Sequence, residues 1–380
     1  MRRRPWAGCA EQAADGSAWT RKGLLALTLL LVGFGLLSVY SASSFVAQAE
    51  GLPDSHYLFA QLSRAALGLL VLAVASLIDY RIYRSLAWPL LGLSAILLFI
   101  LLLPGTESIA PRLNGARRWL HLGLLFQPSE LAKIAVVVWV AALAVKKQDR
   151  LHSFRHGLLP FLLVVGAIAL LVLLEPHFSA ALLIAVLAGV VLFCAGARLG
   201  HFVFLGLLAL PVAWNRMMSE GYRVARIAAF LDPETAASEG AYQLQQSLIA
   251  VGSGGLFGIG LGKSLQKLHY LPEPQNDFIF SIIAEEWGLI GAVAVIALFL
   301  GWSLLGLRIA TCASDLFGRL LAVGITALVS LTAFGHIGVT LGLLPTTGVN
   351  LPFISAGGTS LVLTLAATGI LLNVAKKRRC

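Results

Sequence analysis

The sequence predicts an all-α integral membrane protein of about ten transmembrane helices. Both termini are expected on the cytoplasmic side, with a long extracytoplasmic loop between helices 7 and 8. Three observations carry this reading: composition, the spacing of apolar runs, and the side on which positive charges fall. Of 380 residues, 58% are hydrophobic and 12% are charged, with a mean hydropathy of +0.86. Soluble domains carry about 25% charged residues, so this chain is suited to lipid rather than water. A pI near 9.8 suits nucleic-acid binding in a soluble protein, but the placement of the basic residues gives a better account, and no nucleic-acid partner is expected.

A span needs roughly 20 apolar residues. Such runs lie near 23–43, 57–78, 86–104, 128–145, 157–174, 178–196, 201–215, 277–307, 318–343 and 359–375. The seventh is short, and the eighth is long enough to tilt. An even number of spans puts the termini on one side. The loops on that side hold Arg2, Arg3, Arg4, Arg21, Lys22, Arg81, Arg84, Lys146, Lys147, Arg150, Arg155, Arg198, Arg308, Arg319, Lys376, Lys377, Arg378 and Arg379, which is 18 of the 28 basic residues. The opposite side and the spans hold 13 of the 18 acids. By the positive-inside rule the termini are cytoplasmic and Asp277 lies outside.

The basic stretch Arg2–Lys22, followed by Ala47-Gln48-Ala49, has parts of a cleavable signal. The apolar run is too long for one, and cleavage would leave an odd number of spans, so the first helix is expected to stay. Cys9, Cys194, Cys312 and Cys380 all fall on or near the reducing side, and no disulfide framework is indicated. The chain thus divides into a cytoplasmic tail, 1–22, one polytopic domain, 23–375, and a basic tail, 376–380. The long outer loop, 216–276, contains the apolar stretch Ala241–Ser264, expected to lie on the membrane or fold back into the bundle.

Familiar soluble-enzyme motifs fail on spacing. Counting back from Gly262-Lys263-Ser264 puts Phe257 where a phosphate-binding loop needs glycine, and no third glycine completes a dinucleotide pattern. His152 and His156 are four residues apart but sit in a basic loop without carboxylates, a poor metal site. The residues leave a divalent cation, Mg or Mn, open as a cofactor and require none.

Carboxylates in membrane segments are functional candidates by default. Pro272 and Pro274 break the chain before Asp277, which should open the eighth helix as its cap or first residue. An ordinary helix cap would explain that position without chemistry; an outer-face base would too. On a continuous helix Glu285 and Glu286 lie roughly 12–14 Å deeper than Asp277, too far for a paired-carboxylate mechanism. Buried ion pairs or hydrogen bonds to neighbouring helices account for them. A second cluster, Asn114–Lys133, places Arg117 and Arg118 before Trp119, and Glu130 and Lys133 on one helix face. An interfacial anchor is the plain reading. A lysine this deep also suits Glu130 or an anionic ligand, such as a lipid pyrophosphate.

Five ordered segments carry a family resemblance: NGARRW, FQPSELAK, YQLQQSLIAVGSGG, GIGLGKSLQKLHYLPEPQNDFIFSIIAEEWG and GLLPTTGVNLPFISAGGTS, spanning Asn114–Ser360. Together they resemble the SEDS family (shape, elongation, division and sporulation) of bacterial membrane proteins. LPFIS and PTTG look more like the FtsW-like division branch than the RodA-like elongation branch. The resemblance implies a peptidoglycan glycosyltransferase that polymerises lipid II at the outer face of the cytoplasmic (inner) membrane. It implies an undecaprenyl-pyrophosphate-linked glycan as donor and a class B penicillin-binding protein as partner, among other divisome or elongasome proteins. The family's catalytic Asp falls on Asp277, as base. Arg118, Glu130 and Lys133 fall around the donor pyrophosphate or acceptor sugar. Arg64, Gln243, Lys263, Glu273 and Ser355 are carried over as substrate-binding positions.

Three positions depart from the family pattern. The family's Gln/Glu-Pro-Asp turn reads Glu175-Pro176-His177 here, an Arg near the start of span two is Ala60 with Arg64 one turn on, and a Tyr is replaced by Ala356. Two other classes remain open at this point. A lipid II flippase would depend on deeper charges such as Glu285 or Lys133, whereas a divisome scaffold would need none of them.

Overall fold

The computed structural model describes residues 7–111, 117–121, 125–218, 224, 230, 239–268 and 270–377. Every run expected to span falls on a helix. These are α1 (Ala7–Ala49), α2 (His56–Leu77), α4 (Ala87–Leu102), α5 (Pro128–Lys146), α6 (Leu159–Leu174), α7 (Phe178–Cys194), α8 (Leu199–Met218), α10 (Ile279–Thr311), α11 (Leu316–Thr340) and α12 (Gly358–Lys376). Among the described residues, two further α-helices are α3 (Ile82–Ser85) and α9 (Glu239–Ser253). Among the described residues, seven helices are long and apolar enough to cross a membrane, and two shorter apolar ones lie at Ala87–Leu102 and Phe178–Cys194. The all-α expectation misses one detail, a two-residue antiparallel ladder in which β1 (Leu120–His121) pairs with β2 (Leu125–Phe126).

Burial sorts the helices as lipid solvation requires. The α5 helix is buried along most of its length, from Ala132 to Ala141, because α4, α7 and α11 surround it. By contrast α6 buries only Phe161, Val165, Ile168 and Val172 and turns Leu163, Leu170 and Leu174 outward. Exposed leucines on a helix of this kind are the expected lipid face. Among the described residues, the most extensive helix–helix contact is between α2 and α12. At one end of that pair, Asn373 accepts from Tyr80 N at 2.9 Å and donates to Ser76 O at 2.8 Å. Tyr80 and Arg81 both donate to Asp315, and Lys377 pairs with Asp79. This polar staple closes the end opposite Asp277.

The part of the long loop that follows α9 folds into the bundle. Ile259 N and Gly260 N donate to the carbonyls of Glu285 and Glu286, at 3.0 and 3.1 Å. Leu289 N donates back to Gly255 O at 2.9 Å. This exchange exists because α10 breaks at Gly288, whose φ of 67° and ψ of −165° are reached readily only by glycine. Across the break Gly258 lies so close that a Cβ on it would meet Glu286 O at 2.1 Å. The eighth span is therefore two helical pieces hinged on a glycine contact, not the continuous helix expected. Asp277 is also not its cap: the helix starts at Ile279, with Phe278 in the cap position.

Candidate functional site

Asp277 stands in a turn two residues ahead of α10, half-buried at the mouth of the bundle. What holds it is the loop between α11 and α12. Ser355 Oγ donates to Asn276 O at 2.8 Å, and Ala356 N donates to Gln275 O at 2.9 Å. On the other flank lies Gly348, where a Cβ would sit 3.4 Å from the Asp277 carboxylate. Gly348 is exposed and Asp277 partly so, which places the carboxylate where this end of the bundle opens outward. Glu273, also exposed, accepts from Asn276 Nδ2 at 3.0 Å and shapes the turn just before Asp277.

A second group gathers at the same end, where α5 and α12 both begin. Lys133 Nζ donates to Glu130 Oε1 at 2.7 Å, and both side chains are largely buried. Thr359 accepts from Gln127 N and donates to Leu125 O, which locks the start of α12 to the start of α5. A narrow cavity of about 10 Å³ runs beside Glu130 and Lys133 to Pro352 and Ser360, room for about one water. Pro352 belongs to the loop that flanks Asp277, so a single loop joins the two groups. Arg64, half-buried on α2, lies against Gly358 at the start of α12. One turn earlier Gln61 donates to Ser355 O at 3.2 Å.

The turn between α6 and α7 completes this end. Arg118 Nε and a terminal guanidinium nitrogen donate to Glu175 O and Pro176 O, at 3.3 and 2.6 Å. His177 approaches Ser129 at the start of α5 at 3.5 Å. Burial, reinforced by the Arg118 and Lys133 charges, pushes the His177 imidazole down to about 3, so it is neutral. Glu175 is 2% exposed and both carboxylate oxygens are buried without a hydrogen bond among the described residues. Burial pushes its carboxyl up to about 9 against the pull of Arg118. The family acid missing at His177 is therefore not replaced by a charged Glu175.

That proton has a measurable consequence. Between the ordinary Glu value and about 9, the folded state holds a proton that the unfolded chain has released. Stability therefore falls as pH rises through this window, by at most roughly 1.4 kcal/mol per pH unit. Glu175→Gln cannot lose that proton. In detergent, the Tm of the wild type is expected to fall relative to Glu175→Gln as pH goes from 5.5 to 8.5. A difference constant with pH would mean that Glu175 ionises normally.

Other expected site residues are placed differently. Ser355 spends its hydroxyl on Asn276 O and on Leu351 N, so it builds the site and offers no free hydroxyl. Gln243 is half-buried on α9, and Lys263 is exposed on the glycine-rich loop with its stem over Gly260; among the described residues no contact brings either to Asp277. Asn114, in the NGARRW segment, lies outside the described residues. Glu285 accepts from Ser264 Oγ and Leu265 N, and Glu286 accepts from Ser41 at 2.6 Å and pairs with Lys267 at 3.4 Å. Both deep carboxylates are thus structural. Lys267 is a residue that sequence reasoning missed. It stands four residues from Lys263, but the motif's loop form gave no cue to which lysine turns inward. Among the described residues no group of three or more His, Cys, Asp or Glu side chains is gathered for a metal ion.

Residues 22–380 match the family model FTSW_RODA_SPOVE, described as a cell cycle protein. The chain is 42% identical over 355 residues to a probable peptidoglycan glycosyltransferase FtsW of Geobacter sulfurreducens, covering 93% of this chain and 94% of that one. It is 41% identical over 359 residues to stage V sporulation protein E of Bacillus subtilis, covering 94% and 97%. Among solved structures, a chain from work on polymerization and crosslinking by a peptidoglycan synthase complex superposes with a TM-score of 0.78 at 29% identity, covering 94% and 98%. Thermus thermophilus rod shape determining protein RodA superposes with a TM-score of 0.67 at 29% identity, covering 94% and 97%.

Proposed function

The chain belongs to the FtsW/RodA/SpoVE family of cell cycle proteins, and from that premise we propose how its outer-face site performs peptidoglycan glycosyl transfer. It is a multi-pass protein of the inner membrane that polymerises lipid II into glycan strands. The acceptor's 4-hydroxyl oxygen attacks the anomeric carbon of the donor sugar. The bond from that carbon to the pyrophosphate oxygen breaks, and undecaprenyl pyrophosphate leaves with the electron pair. Asp277 takes the hydroxyl proton as general base. Arg118 and Lys133 offset the charge that builds on the leaving pyrophosphate, with Glu130 fixing the Lys133 ammonium. Arg64 is the further cation available on α2. A divalent cation, when taken up, would help neutralise the pyrophosphate.

The carrying observation is one of contrast. At the Asp277 end a partly exposed carboxylate and several cations share one loop framework, while both deeper carboxylates are consumed by structural bonds. A flippase path would depend on deeper charges such as Glu285 or Lys133; Glu285 is held by Ser264 and Leu265, and Lys133 is paired with Glu130, which disfavours it. A penicillin-binding protein is the partner we propose, a reading supported by the likeness to a chain of a peptidoglycan synthase complex that coordinates polymerization and crosslinking; further divisome or elongasome partners belong to the proposal. To test the reading, purified protein with its partner is given labelled lipid II in detergent and the products resolved on a gel. Glycan strands support the transferase. Movement of lipid II across liposome bilayers with no polymer formed would favour the flippase.

A further inference from the structure

His336 lies on α11, one turn before its end, and is 1% exposed. Its Nδ1 stands 2.7 Å from Val349 O. A carbonyl oxygen only accepts, so Nδ1 carries the hydrogen and donates. Nε2 is then a bare lone pair, buried without a partner among the described residues. A half-satisfied imidazole in a buried core is a poor choice for stability, where an apolar side chain of similar size would leave no polar group unpaired. What the histidine does provide is a hold on the loop backbone next to Gly348, the residue that flanks the Asp277 carboxylate.

That loop needs holding. Phe353 has a φ of 65°, a left-handed conformation that a bulky side chain keeps only when its surroundings enforce it. The far half of the loop is tied by Ser355 and Ala356 to the Asn276 and Gln275 carbonyls. The near half, which carries Gly348, is tied to the bundle by the His336 hydrogen bond to Val349.

We propose that His336 is a positioning residue for the transfer reaction: through Val349 and Gly348 it fixes the wall against which the Asp277 carboxylate stands. The inference rests on the reading of Asp277 as the base. A displaced wall changes the angle at which the carboxylate meets the acceptor hydroxyl, so its effect falls on the chemical step and not on lipid II binding.

Four full-length variants, each with its partner, test this by kcat and KM for labelled lipid II and by Tm. His336→Asn keeps an N–H donor on the atom bonded to Cγ, where Nδ1 was, and is expected within about threefold of wild-type kcat. His336→Gln moves the amide one bond further out, and His336→Leu removes it. Both are expected to lose about 10–100-fold in kcat with KM within about twofold and Tm little changed. Asp277→Asn serves as the reference for a lost base. The Asn and Gln variants, equal in polarity, carry the comparison should the leucine variant fail to fold. Wild-type kcat in the Gln and Leu variants, equal losses in Asn and Gln, or a change confined to KM would each overturn the proposal. Those results with an inactive Asp277→Asn sink this inference alone, whereas an active Asp277→Asn sinks the reading beneath it.

Discussion

Replacing Asp277 with asparagine is expected to abolish glycan polymerisation while leaving the fold intact. The side chain keeps its shape, so the neighbouring hydrogen bonds to the Asn276 and Gln275 carbonyls, and the approach of Gly348, are not disturbed. The capacity to take a proton is lost. General-base catalysis contributes typically 10²–10⁴-fold, about 3–5 kcal/mol of barrier. The same gel assay should show no strands from the variant under conditions where wild type consumes its lipid II, with an unchanged Tm as the folding control. Asp277→Glu is a sharper probe. It keeps the base but pushes the carboxylate into the exposed Gly348 wall, so a partial rate is expected. Equal polymer from wild type and Asp277→Asn would remove Asp277 from the chemistry.

The second large effect concerns stability. Lys267 Nζ donates to Glu286 Oε1, to Gly262 O at 2.7 Å and to Ser41 O at 3.2 Å. It thereby ties α1, α10 and the glycine-rich loop at one buried point. Both side chains are nearly inaccessible, at 6% and 2%. Lys267→Met leaves the Glu286 carboxylate buried with only the Ser41 hydroxyl, and breaking such a pair from one side costs about 3–5 kcal/mol. A large drop in Tm in detergent is expected. The double change Lys267→Met with Glu286→Met removes the unpaired charge and should recover much of that loss, since a well-packed apolar pair often matches a buried ion pair. A single variant as stable as wild type would mean that water reaches the pair.

These expectations differ in how far the sequence foreshadows them. Asp277 is visible as a carboxylate at the boundary between a proline-broken polar segment and an apolar run, and the family motif assigns it a role. Its environment is not visible, because Gly348 and Ser355 reach it from residues more than seventy positions away. The pairing of Lys133 with Glu130 follows from helical spacing and is found as such. Lys267 and Lys263 show the opposite case. Both sit on one irregular loop, where no period tells which side chain turns inward. His336 likewise reads as an unremarked polar residue in a span until its carbonyl partner, thirteen residues on, is seen.

What the sequence determined by itself is what depends on local pattern and solvent: where helices run, and which loops bear the positive charge. Lipid permits few backbone solutions, so apolar length alone specifies these helices. The tertiary structure alone decided the rest. It broke α10 at Gly288, because only a close backbone approach by Gly258 makes that conformation useful. It assigned Glu285 and Glu286 to structure, left Glu175 buried and protonated, and built the wall beside Asp277 from a distant loop. Each of these depends on contacts between segments remote in sequence, whose energies no local pattern encodes.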